Sequence, residues 1–253
     1  MDLDPGLSAL RPLGGFFVLR TALSTALRTA GDRRAPLPTL AQVYTDTVSD
    51  VFDDPLTFRV RKVAESLRAP EVRIAASIAH QALAARLWSA ALGCAVLYGR
   101  TPDLDPGLLH WDADASAPDD LWLTAVRPLS GDAATVADVV LEGHLRPLSA
   151  ALRARHRLAE GLLWGNAGSA LAGAARELER WARTHGRPDA AARARALTGE
   201  LFAHPLLAGT GNLAGTAFRR RSCCLYYRVP GGGVCGDCCF TRPPRSSARG
   251  ASG

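Results

Sequence analysis

The sequence predicts a mainly helical α+β fold: a helical body, one small antiparallel β-hairpin, and an irregular cysteine-rich module that closes the chain. Three observations predict it. Apolar residues recur at helical spacing in several stretches between residues 16 and 202. Two short runs of strand-forming residues, 108–111 and 121–126, flank a polar turn. Five cysteines (Cys223, Cys224, Cys235, Cys238 and Cys239) crowd near the end, with Cys94 far upstream.

In chain order, Phe16, Val18, Leu19, Leu23 and Leu27 share roughly one stripe, which predicts a helix over 16–27. Pro36 and Pro38 break the chain. The pattern resumes over 40–52 through Leu40, Val43, Tyr44, Val48, Val51 and Phe52, and Asp53-Asp54-Pro55 closes it. The longest helical run is 71–98, with Ile74, Ile78, Leu83, Leu87, Trp88 and Leu92 as core and Gly99 as its C-terminal stop. It is rich in alanine and carries His80, Gln81 and Arg86. A membrane span wants about 20 nearly uninterrupted apolar residues, so a buried or amphipathic helix is expected and no integral membrane segment. The hairpin follows, its turn at 112–120 containing Pro118. Helices are expected again over 132–157, 168–185 and 189–202. The Pro/Ser/Gly/Arg-rich stretch 243–253 reads as a disordered tail. The organisation is then a helical body over 1–215, a cysteine module over 216–242 and the tail.

The 253 residues, 47% hydrophobic and 21% charged, suit a soluble globular protein. Lys62 is the sole lysine, so arginine carries nearly all the positive charge. A net charge of +6 and a pI near 9.3 suit an anionic partner: an acidic protein, an anionic chelate or nucleic acid. No groove-reading element accompanies that charge, so no nucleic acid is expected. The acidic start Met1-Asp2-Leu3-Asp4 lacks the positive opening of a secretion signal. A cytoplasmic location is expected, with peripheral contact to the inner face of the membrane left open.

In such a compartment clustered cysteines point to metal ligation rather than disulfides. The spacing is Cys223-Cys224, ten residues, Cys235, two residues, Cys238. A Cys-x-x-Cys turn brings two thiolates to one metal centre. Pro230-Gly231-Gly232-Gly233 is a strong turn signal that folds the intervening loop so that the two pairs converge. Glycine-rich backbone also lets N–H groups approach sulfur. A zinc site uses four thiolates too, although zinc ribbons bring two Cys-x-x-Cys knuckles where this chain has one and a vicinal pair. Spacing alone leaves iron–sulfur and zinc both open.

The stretch Arg221-Ser222-Cys223-Cys224-Leu225-Tyr226-Tyr227-Arg228, with Pro230-Gly231-Gly232-Gly233 and Cys235-Gly236-Asp237-Cys238, resembles the C-terminal signature of FhuF-like ferric siderophore reductases. Leu163-Trp164-Gly165-Asn166 is similar to that family's Leu-Trp-Gly-Asn motif, and residues 75–88 resemble its central helix. The likeness spans roughly residues 55–240. It implies a 2Fe–2S cluster ligated by Cys223, Cys224, Cys235 and Cys238, with Cys239 as an extra thiol. It also implies an iron–sulfur oxidoreductase that passes one electron to siderophore-bound Fe(III), releasing Fe(II) in the cytoplasm. The substrate implied is a ferric siderophore, hydroxamate type favoured, and the donor a ferredoxin or flavin reductase. Such chemistry needs no catalytic acid, base or nucleophile. The alternative is a structural zinc-binding adapter.

Arg219, Arg220, Arg221, Arg228 and Arg242 lie around the cysteines in sequence. They are expected to offset the cluster's negative charge, with Arg220, Arg221, Arg228, Trp164 and Asn166 as candidates for docking substrate or donor. The plainer reading of the arginines is a solvated surface. Gly209-Thr210-Gly211-Asn212-Leu213-Ala214 matches a dinucleotide-binding pattern but lacks a βαβ context. His110, Asp112 and Asp114 read as a solvated turn, and His80 and Cys94 as core.

Overall fold

The computed structural model describes residues 6, 7, 9–21, 37–45 and 54–244. Its centre is a long helix, Val72–Tyr98, packed along a second one, Glu160–Thr184. In chain order the helices are α1 (Leu40–Thr45), α2 (Pro55–Leu67), α3 (Val72–Tyr98), α4 (Ala133–Ala137), α5 (Arg146–His156), α6 (Glu160–Thr184), α7 (Pro188–Phe202) and α8 (Pro205–Ala208). A π-helical stretch, Asp138–Leu145, joins α4 to α5. The predicted helix over 132–157 is therefore present, with an altered register at its centre.

α3 ends as predicted, on Gly99 at φ +68°. It is buried nearly all round because α2, α5, α6 and α7 pack against it. Small residues permit this crowding: a Cβ on Gly93 would lie 2.9 Å from the Phe17 ring.

The predicted hairpin pairs β2 (Leu109–Trp111) with β3 (Leu121–Leu123), opposing Leu109 to Leu123 and Trp111 to Leu121. β1 (Arg100–Pro102) and β4 (Pro128–Ser130) extend the same excursion as a second antiparallel pair. A third pair, β5 (Gly211–Ala214) with β6 (Ala217–Arg220), leads directly into the cysteines. The boundary expected after residue 215 falls in the turn of this hairpin.

Three expectations change. The helix over 16–27 is absent from its described part, where short 3-10 turns (Arg11–Leu13, Gly15–Phe17) give way to extended chain bridging Arg20 to Trp122. Buried Arg86 is the physical reason. Its guanidinium donates to the carbonyls of Gly15, Phe16 and Val18 while its Nε holds Asp120 at 2.9 Å. Those carbonyls are the acceptors a helix would have used internally. Residues 22–27 and 46–52 of the two predicted N-terminal helices lie outside the described residues, as does 245–253 of the tail.

Second, Asp54-Pro55 opens a helix. Asp54 caps α2 through Leu56 N–H at 3.1 Å, and Pro55 occupies the first turn, where its missing N–H costs nothing. Third, the helix expected from residue 168 begins at Glu160, so Trp164-Gly165-Asn166 lies on α6.

Two buried histidines give the body a pH response. His144 Nε2–H donates to the Leu104 carbonyl, which leaves Nδ1 of the neutral ring to accept from the Tyr44 hydroxyl at 2.8 Å. Burial draws His144 down to about 4 and His80 to about 3, from an ordinary 6.5. Both are therefore held neutral in the fold, while the unfolded chain takes up their protons below about 6.5. Stability is complete above that pH and falls as pH drops toward 4 and below. A urea midpoint that decreases between pH 6.5 and 4, with a shallower slope in His144→Gln, is the expected result.

Candidate metal centre

β6 ends at Arg220, and the chain then runs as a strap across the N-terminal half of α3 and the start of α6. Leu225 takes the left-handed conformation (φ +70°), and its N–H donates to Cys223 Sγ at 3.2 Å. A 3-10 turn, Tyr226–Arg228, follows. Gly231 is also left-handed (φ +71°), and Gly232 N–H closes the turn on the Val229 carbonyl at 2.7 Å. The Cys-x-x-Cys turn closes through Cys238 N–H to the Cys235 carbonyl at 3.0 Å, and Phe240 N–H points at Cys238 Sγ at 3.4 Å. Arg220 N–H donates to the Asp237 carbonyl at 3.0 Å, so the two cysteine-bearing ends lie side by side.

Cys224 Sγ and Cys235 Sγ stand 3.6 Å apart. That is close to the edge of a tetrahedron whose metal–sulfur bonds are about 2.3 Å. The pair shares a proton: the hydrogen bond from Cys235 draws Cys224 down to about 6, while Cys235, which keeps the proton, is pushed up. Burial pushes Cys223 up to about 11 and raises Cys239 as well. Metal binding would displace these protons. All six cysteines are free thiols. Among the described residues no group of three or more His, Cys, Asp or Glu side chains converges on a single point to hold a metal ion; the closest sulfurs come as a pair.

Three anchors tie the strap to the central helices. Ser77 Oγ donates to the Cys224 carbonyl at 2.9 Å, and Asn166 Nδ2 in turn donates to the Ser77 carbonyl at 2.9 Å. Arg220 donates to Asn166 Oδ1 (2.5 Å) and Gln81 Oε1 (3.4 Å). Asp237 accepts from Ser169 Oγ at 2.6 Å and pairs with Arg176 at 3.0 Å. The Gly of the Leu-Trp-Gly-Asn motif serves the same contact, since a Cβ on Gly165 would stand 2.1 Å from Ser222 Oγ.

Cys223, Cys224, Cys235 and Cys238 are thus carried on one strap, with Cys239 beside them. Arg221 and Arg228 are exposed, and Arg228 pairs with Glu71. Arg220 and Asn166 are buried, as is Trp164, so none of these three stands at a surface where a docked partner would first meet it. Ser77, Gln81, Ser169, Arg176 and Asp237 were not marked as site residues by the sequence. The signal available was the glycine spacing at 165 and 168, which announces a close approach. His80 is core, bonded to Ser149 Oγ at 3.1 Å, and Cys94 is buried, its thiol pushed up to about 12 by that burial. His110 bonds the Leu37 carbonyl, and Asp112 organises its own turn. The dinucleotide-like stretch supplies β5, within an antiparallel hairpin.

A helical body carrying an all-thiol strap with N–H groups aimed at sulfur has the donor set of an iron–sulfur redox protein. The chain belongs to the FhuF-like ferric iron reductase family. Residues 80–223 match the family described as ferric iron reductase FhuF-like transporter, and residues 220–240 match the FhuF 2Fe-2S C-terminal domain. No curated protein matches the chain. The family match decides between the two metal centres that spacing left open: the cofactor is a 2Fe–2S cluster. No helix among the described residues is long and apolar enough to cross a membrane.

Proposed function

We propose that this chain reduces Fe(III) held in a siderophore, hydroxamate type favoured, with Cys223, Cys224, Cys235 and Cys238 as ligands of the 2Fe–2S centre, and releases Fe(II) in the cytoplasm. The bound cluster supplies a one-electron centre. The observation that carries the reading is the strap: its thiols are only partly covered, except buried Cys224, and exposed Arg219, Arg221, Arg228 and Arg242 lie along the same segment. A basic, accessible edge suits an acidic electron donor such as a ferredoxin. Beside it, a groove of about 460 Å³ shares Gln81, Ser169 and Arg176 with the strap's anchors and is otherwise lined by residues including Phe16, Phe17 and Ala170. Its mixed lining suits an organic chelate. Free thiols throughout suit a reducing compartment.

Reduction releases iron because Fe(III) is held far more tightly than Fe(II) by the hard oxygens of hydroxamates. Dithionite-reduced, cluster-loaded protein, mixed anaerobically with a ferric hydroxamate and an Fe(II)-specific chromogenic chelator, is expected to recover its oxidised visible spectrum as Fe(II) appears, one Fe(II) per electron. Reduced protein that stays reduced against every ferric hydroxamate and catecholate overturns the proposal.

A further inference from the structure

Arg220 is 2% exposed, yet among the described residues no carboxylate pairs with it. Its guanidinium meets only neutral acceptors: Asn166 Oδ1, Gln81 Oε1 and, at 3.4 Å, the Leu162 carbonyl. Its Nε is buried with no partner at all. The acid nearest in the network, Asp237, is taken by Arg176 and Ser169. The other deeply buried arginine, Arg86, has Asp120 as its counter-ion. A buried cation without an anion is costly and is retained only where something negative belongs beside it. Its own backbone N–H donates to the Asp237 carbonyl at 3.0 Å, one residue before Cys238, and its support Asn166 reaches the Cys224 carbonyl through Ser77.

We propose that Arg220 is the built-in counter-cation of the 2Fe–2S centre, oriented by Asn166 and Gln81, and that its charge raises the centre's reduction potential. The inference rests on the C-terminal cysteines holding that centre. Taking up one electron adds one negative charge to the thiolate-bound centre. A fixed positive charge at its inner side stabilises that state more than the oxidised one, and burial protects the interaction from salt. Arg220 is a positioning residue for charge and is not a surface dock. Asn166 and Gln81, which belong to two separate sequence motifs, are then the supports of one guanidinium.

The test uses full-length protein reconstituted anaerobically, with iron and sulfide counted before each midpoint potential is read. Arg220→Gln is expected to shift the oxidised/reduced equilibrium about tenfold toward the oxidised form, which for one electron is about 59 mV downward. Arg220→Lys recovers most of that shift. Arg219→Gln, which removes the same charge from an exposed neighbour, shifts it less, and the shift fades in high salt. Fully loaded Arg220→Gln with the wild-type potential overturns the proposal, as does an Arg219→Gln shift of equal size. Should Arg220→Gln fail to hold its cluster, Gln81→Glu sets a carboxylate against the guanidinium without touching the strap; a lowered potential supports the proposal and an unchanged one overturns it. Failure of the ligand assignment is a separate outcome, seen as iron and sulfide retained when the cysteines are replaced.

Discussion

Cys224→Ser and Cys235→Ser are each expected to lose nearly all bound iron, acid-labile sulfide and visible absorption, while Cys239→Ser keeps them near the wild-type level. The two sulfurs stand 3.6 Å apart, a spacing suited to two ligands of one metal ion. Serine places a far weaker ligand at one corner of the site. Cys223→Ser and Cys238→Ser are expected to fall on the same side, since backbone N–H groups already address both sulfurs. The helical body should survive each change, because the α3–α6 contact contains none of these cysteines. Iron and sulfide analysis beside far-ultraviolet circular dichroism gives the answer. Full iron in Cys224→Ser would remove that residue from the ligand set, and loss in Cys239→Ser with retention in Cys238→Ser would move the fourth ligand by one position.

The second large effect lies in three consecutive glycines that are chemically identical and structurally unlike. A Cβ on Gly232 would stand 2.4 Å from the Tyr226 carbonyl and 2.8 Å from the Val229 carbonyl, both rigid backbone. A Cβ on Gly233 would meet nothing within 4 Å. Gly232→Ala is therefore expected to spring the turn that returns Cys235 to Cys224. The cost is about 1–3 kcal/mol in overpacking, and cluster occupancy drops several-fold on reconstitution. Gly233→Ala should load as wild type does. Gly231, at φ +71°, lies between these extremes: there is space for a methyl group, but the backbone conformation is one that alanine resists by about 1 kcal/mol. Equal loading of Gly232→Ala and Gly233→Ala would show that the loop rearranges freely and that its closure is not set by the apoprotein fold.

Much of this protein was legible in one dimension. The alanine-rich run from Glu71 to Gly99 announced a long helix, buried or amphipathic, because apolar periodicity and a terminal glycine agree over many turns. The Leu109–Trp111 hairpin declared itself by local residue type. The Cys-Cys and Cys-x-x-Cys pairs declared metal chemistry because few other roles require four thiols so near one another. Where the reading went astray, punctuation had two meanings. Asp54-Pro55 can end one helix or begin the next, and only the Leu56 N–H bound to Asp54 tells which. The glycines at 165 and 168 argue locally against a helix, yet α6 runs straight through them, and Ser222 and Thr210 take the space that side chains there would fill.

The sequence by itself determined which groups do the chemistry: thiols at fixed spacing, a turn able to bring them together, and an excess of arginine around them. Ligand type and local turn propensity are properties of a few adjacent residues, so they survive without a fold. Only the tertiary structure decided which arginine is buried beneath the strap. Arg219, Arg220 and Arg221 are equivalent on paper, but strand alternation sends the middle one inward, under the strap, to Asn166 and Gln81. Burial shields one of three like charges from solvent, and burial is decided by contacts between residues more than fifty positions apart.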